Sequence, residues 1–129
     1  MSDVVLDASA LIAMLRGEPG ADYVAERLNG ALISSVNYSE VVAHYARLDN
    51  AADEIQAMLE ALPLVLVPVD RALAFEAGMM RKLGETAGLS LGDRFCLALA
   101  KSQGCPAVTA DKAWLRVAEA VNVRVELLR

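Results

Sequence analysis

The sequence predicts an α/β fold: a three-layer sandwich with a five-stranded parallel sheet and helices on both faces, formed as a single domain over residues 1–129. Three observations lead there. Short β-forming runs alternate with helical patterns along the whole chain, and each strand is separated from the next by at least one helix, as a parallel crossover requires. The length of 129 residues is that of one domain, able to bury roughly two thirds of its unfolded surface. No repeat, low-complexity tract or linker divides the chain, and 56% of its residues are hydrophobic, enough for a well-filled core.

Taken in order, Val4-Val5-Leu6 reads as a strand that stops at Asp7, and the apolar periodicity after it predicts a helix over 9–15 with Ser9 as its cap. Gly17-Glu18-Pro19-Gly20 breaks the chain, a second helix spans 21–28, and Asn29-Gly30 ends it. Residues 31–34 form a short strand. Asn37 opens an amphipathic helix to about residue 48, Asn50 starts another to about 62, and 64–67 is a strand fenced by Pro63 and Pro68. A helix follows over 70–83, then a glycine-punctuated stretch over 84–92. The helix over 93–102 is apolar on most sides, which places it inside, and Gly104 terminates it. Residues 107–109 make a fourth strand, Asp111 opens a last helix carrying Trp114 and Leu115, and 123–127 alternates as an edge strand.

Composition excludes several classes. The longest near-continuous apolar run, 61–69, contains two prolines and falls short of the ~20 residues a spanning helix needs. No basic stretch precedes the first apolar run, so no signal peptide is expected; no membrane association is expected either, and the cytoplasm is the expected location. Cys96 and Cys105 stand nine positions apart without a CxxC pair, and His44 is the sole imidazole; buried reduced thiols are expected rather than zinc or a disulfide. A net charge of −5 argues against coating nucleic acid non-specifically, an affinity that comes from Lys and Arg neutralising phosphates. Contact with nucleic acid must then be local or metal-bridged.

Four acids fall into related places. Asp7 follows the first strand, Glu40 lies in the first turn after the second, Asp93 opens the buried helix, and Asp111 follows the fourth strand. If the first strand is central, flanked by the second and fourth, Asp7, Glu40 and Asp111 converge at the carboxyl edge of the sheet, where open α/β sheets bind ligands, and Asp93 can join them from a helix start. Each has a local explanation: Asn37-x-x-Glu40 reads as a capping box, and Asp93 and Asp111 suit helix starts. Capping does not account for their recurrence at one edge. Clustered carboxylates raise one another's pKa unless a cation neutralises them, and hard oxygen donors without sulfur or imidazole select Mg²⁺ or Mn²⁺. The chain lacks a nucleophile elbow, a Walker lysine pattern and a GxGxxG loop. The chemistry that remains is metal-assisted phosphodiester hydrolysis, with one ion or two.

The segments Val-Val-Leu-Asp7-Ala-Ser9-Ala-Leu-Ile, Asn37-Tyr-Ser-Glu40-Val, Leu89-Ser-Leu-Gly-Asp93 and Thr109-Ala-Asp111-Lys-Ala-Trp114 together resemble a PIN domain, in particular the VapC-like toxins. The resemblance spans nearly the whole chain in the right order. It implies a PIN-like sheet, a Mg²⁺- or Mn²⁺-dependent ribonuclease acting on RNA, a homodimer, and inhibition by a VapB-like antitoxin. Position by position, Asp7, Glu40 and Asp93 match the acids of the family's metal site, Asp111 its more variable fourth acid, and Ser9 and Thr109 its hydroxyl positions. Trp114 is expected in the core and His44 as an i,i+4 partner of Glu40.

Two other classes compete. A receiver-type signalling domain shares the sheet class and an acidic Mg²⁺ pocket but wants paired acids after its first strand, where Asp7 stands alone. A catalytically silent module would keep the fold only to bind a partner. Helices over 21–28 and 37–62 carry Tyr23, Val24, Val41, Val42, Tyr45, Ile55, Met58 and Leu59, either as core or as a groove for an amphipathic antitoxin helix that brings an Arg toward the acids.

Overall fold

Residues 3–83 and 88–129 are described in the computed structural model, so 84–87 of the expected glycine-punctuated stretch lie outside the described residues. Strand β1 (Val5–Leu6) pairs in parallel with β2 (Leu32–Ser34) and β4 (Ala107–Thr109), and these pair outward with β3 (Val65–Val67) and β5 (Val125–Leu127). The sheet order β3-β2-β1-β4-β5 puts the first strand at the centre, as the placement of the acids requires. It also differs from the 2-1-3-4-5 order of receiver-type domains, because β1 meets β4 rather than β3. The order of strand addition switches sides between β1 and β4, and the crevice that accompanies such a switch opens beyond their carboxyl ends.

Alternation along the first strand sorts the layers. Val5 packs into one core with α5 (Arg71–Met79) and α6 (Leu91–Gln103), while Val4 and Leu6 pack into another with α1 (Ala8–Arg16) and α2 (Ala21–Ala25). A third cluster joins α1 to α3 (Ser35–Arg47) and α4 (Ala52–Glu60) through Leu11, Ile33, Val41, Ile55 and Leu59. Residues 95–100 of α6 are buried without exception, which is why that segment reads as apolar on most sides.

Several helix starts shift from the expected positions, and the caps explain why. Asp7 rather than Ser9 caps α1, accepting from the Ala10 amide at 2.8 Å. Ser34 rather than Asn37 caps α3, and Ser90 caps α6 in a capping box with Asp93. Helix α4 begins two residues after Asn50, behind Ala51, and α2 ends at Ala25 rather than 28. The last expected helix is a 3-10 turn (Lys112–Arg116), since Trp114 N–H bonds to Asp111 O at 3.2 Å and Val117 N–H to Trp114 O at 3.1 Å, followed by α7 (Ala118–Val121). Both cysteines are free, Cys96 buried but Cys105 only half-buried. No helix among the described residues is long and apolar enough to cross a membrane.

Candidate active site

Extending the β1–β4 register by one residue sets Asp7 beside Thr109. Asp7 is 5% exposed, and its carboxylate is bound on both oxygens. Oδ1 accepts from the Ser9 hydroxyl at 2.7 Å and from the Ala10 amide, and Oδ2 accepts from the Thr109 hydroxyl at 2.6 Å. Each hydroxyl is itself held by the loop after β4: Ala110 N–H donates to Ser9 Oγ and Asp111 N–H to Thr109 Oγ1, both at 3.1 Å. Ser9 is therefore a link between two strand ends, not the expected helix cap. Burial pushes the Asp7 carboxyl up to about 6 against the pull of these donors, and Asp93 adds to the rise.

Glu40 is placed by a different device. The start of α3 at Ser35 leaves Glu40 beyond the capping turn, so the capping-box reading fails and Asn37 takes the third helical position. Asn37 is buried, accepts from the Ser34 hydroxyl at 2.8 Å, and donates one amide proton to Glu40 Oε1 at 2.8 Å and the other to the Gly92 carbonyl at 3.1 Å. The Glu40 carboxylate lies where a side chain on Gly92 would stand, its Cδ only 2.6 Å from an ideal Cβ there. Glycine at 92, one residue before Asp93, leaves the space that Glu40 occupies in this position. Neither Asn37 nor Gly92 was among the expected site residues: Asn37 was visible only as a helix cap, and the glycine carried no signal.

Asp93 accepts from the Ser90 amide at 2.9 Å, and desolvation, reinforced by the charge of Asp111, raises its pKa. Asp111 caps the 3-10 turn and is exposed. Asp93 acts on Asp7 and Asp111 on Asp93, while the Cys96 thiol, pushed well up by burial, feels Asp7, Asp93 and Glu40. His44 does not join them. It meets Arg16, with 3.2 Å between His44 Nε2 and Arg16 Nη1, and stands edge-on to Tyr45, so the expected pairing with Glu40 is replaced by one across α1 and α3.

The donor set suits a hard cation, all carboxylate and hydroxyl oxygen with no thiol or imidazole facing it except the buried Cys96. Among the described residues no three His, Cys, Asp or Glu side chains stand close enough to chelate one ion directly. Mg²⁺ keeps several waters and takes only one or two carboxylates directly from a protein, so of these acids some would hold it directly and others through its water.

Comparison with known proteins bears on the fold and the family. Ribonuclease VapC of Mycolicibacterium smegmatis is 33% identical over 124 aligned residues, covering 86% of this chain and 93% of that protein. The DNA-bound VapBC structure from Salmonella typhimurium matches over 100% of both chains with a TM-score of 0.74 at 19% identity. A toxin–antitoxin complex from Klebsiella pneumoniae matches over 98% of both chains with a TM-score of 0.75 at 18% identity, and at such identities the two structures share the fold. The PIN domain family matches residues 4–120, from the central strand through the turn that carries Trp114, and the chain belongs to that family.

Proposed function

We propose that the chain is a divalent-metal-dependent endoribonuclease that hydrolyses RNA phosphodiester bonds as the toxin of a toxin–antitoxin pair. What supports this reading is the placement of Asp7, Glu40, Asp93 and Asp111, drawn from four separate elements, on the carboxyl side of the sheet where the strand order switches, with Asp93 acting on Asp7 and Asp111 on Asp93. Membership of the PIN family and the likeness to a ribonuclease VapC support it.

In this reading Asp7, Glu40 and Asp93 hold Mg²⁺ or Mn²⁺, with Asp111 contributing at the rim. Such an ion offsets the charge that develops on a phosphodiester and lowers the pKa of water. The chain's own work is orientation. Ser9 and Thr109 fix both oxygens of Asp7, Asn37 and the gap at Gly92 fix Glu40, and the Ser90 amide fixes Asp93. Burial raises the pKa of the Asp7 carboxyl, so a proton competes with a cation for the same oxygens as the pH falls.

The partner is a VapB-like antitoxin. A hollow of about 480 Å³ between α3 and α4, lined by Tyr38, Val42, Ala46, Ile55 and Leu59 among others, suits the apolar face of an amphipathic helix. An Arg from the same partner would find the acids attractive and displace the cation. The toxin itself is proposed as a cytoplasmic homodimer.

Sequencing of RNA ends after induced expression, wild type beside Asp93→Asn, tests the reading. Discrete new ends that need Mg²⁺ or Mn²⁺ in vitro and vanish with Asp7→Asn, Glu40→Gln or Asp93→Asn are expected, with a smaller loss for Asp111→Asn. Cleavage that persists in EDTA defeats the metal assignment, and no cleavage by the wild type leaves a catalytically silent binding module.

A further inference from the structure

Trp114 is the only tryptophan of the chain and is fully buried, yet its indole Nε1 has no hydrogen-bond partner among the described residues. Interiors rarely leave an N–H bare, because burial removes the water that would otherwise satisfy it. Core packing accounts for the ring but not for this donor. The backbone fixes where it sits: Asp111 caps the 3-10 turn, Trp114 N–H bonds to Asp111 O, and Asp111 N–H bonds to the Thr109 hydroxyl that holds Asp7. The indole is near enough to Asp93 to favour its charged form, yet its N–H makes no hydrogen bond as the side chains stand. On its other side Asp93 is held by the Ser90 amide at Oδ2.

We propose that Trp114 is a positioning residue whose indole N–H anchors the Asp93 carboxylate opposite Ser90 and turns it from a helix cap into a ligand facing Asp7. The inference rests on the reading of Asp93 as a metal ligand. It makes the turn after β4 serve the site twice: Asp111 supplies charge and Trp114 supplies direction. Partners of this kind behind metal-binding carboxylates govern affinity more than fold, because they decide how much of the carboxylate's orientation is set before the ion arrives.

The single tryptophan allows a direct test on the whole protein. In ¹⁵N-labelled metal-free wild type the one indole N–H resonance is expected to move upfield in Asp93→Asn, where a charged acceptor becomes a neutral one, and to move less in Asp7→Asn. Trp114→Phe, which keeps an aromatic ring and loses the donor, is expected to weaken Mn²⁺ binding about tenfold by electron paramagnetic resonance. Its melting curve in EDTA shows whether it is folded. An indole resonance indifferent to Asp93→Asn overturns the proposal, as does a folded Trp114→Phe that binds Mn²⁺ like the wild type. If Trp114→Phe does not fold, the resonance decides alone. If the wild type binds no Mn²⁺, the metal reading fails, and the resonance still decides whether Trp114 contacts Asp93.

Discussion

The Thr109 hydroxyl donates to Asp7 Oδ2 at 2.6 Å across 102 positions of sequence, while accepting from the Asp111 amide at 3.1 Å. One oxygen atom thus connects the ends of β1 and β4 and orients two of the acids. Thr109→Val keeps the shape and removes both bonds. Equilibrium urea unfolding in EDTA is expected to show a loss of about 2 kcal/mol, the scale for a buried bond to a charged acceptor. Metal-dependent cleavage is expected to fall at least about tenfold. Wild-type stability in this variant would show that the bond is replaced by another.

Gly92→Ala separates stability from activity. The new methyl meets the far end of the flexible Glu40 side chain rather than backbone, so Glu40 swings away and gives up its bond from the buried Asn37 amide. The better helix propensity of alanine offsets part of that loss. The variant is expected to melt within a few degrees of the wild type and to cleave as poorly as Glu40→Gln. Full activity would place Glu40 outside the working site.

Asn37→Leu should damage both properties. It removes the side-chain amide that accepts from the Ser34 hydroxyl and donates to Glu40 and to the Gly92 carbonyl, and so releases Glu40, while the residue 37 backbone N–H still bonds to Ser34 Oγ. A loss of about 1–2 kcal/mol is expected from the buried bonds removed, together with a drop in cleavage that adding Glu40→Gln does not deepen. Additive losses in that double variant would show that the two residues act independently.

The pH dependence of the metal-free protein follows from Asp7. Its carboxyl ionises near pH 4 in the unfolded chain and near 6 in the folded one. The native state therefore holds the proton more tightly, and the stability this contributes is present below pH 4 and lost as pH rises through 6. Two units correspond to at most about 3 kcal/mol. Melting temperatures in EDTA are expected to show this decline between pH 4 and 6.5, Asp7→Asn to remove it, and Mg²⁺ to restore stability at pH 7 by replacing the proton with a cation. A wild type whose melting in EDTA rises steadily over that range would contradict the sign.

The sheet and its strands were legible because a run such as Val4-Val5-Leu6 ending at an acid admits few other readings, and alternation of strands with helices fixes a parallel sheet. The central place of β1 followed from where the acids would have to meet. Helix starts were less legible, since Ser34 and Asn37 both suit a cap and the choice between them depends on where β2 ends. That three-residue shift alters the meaning of Glu40, which loses its local role and gains Asn37 and Gly92 as neighbours. The Asn37–Gly92 bond joins residues 55 positions apart, and Arg16 reaches His44 across 28, so neither could be read from local pattern.

The strand order has a consequence for the time at which this chain becomes dangerous. Synthesis delivers β1, β2 and β3 first, but Asp93, Thr109 and Asp111 come later, and the central strand has its second neighbour only when β4 arrives. Asp7 on a growing chain is a solvated carboxylate with no Thr109 to orient it. Long-range pairing of this kind is also slow to form. A nascent chain still on the ribosome, surrounded by RNA, therefore lacks Asp93, Thr109 and Asp111 while α3 and α4, which line the groove, are already synthesised. A partner that engages that groove early meets the protein while it is still harmless.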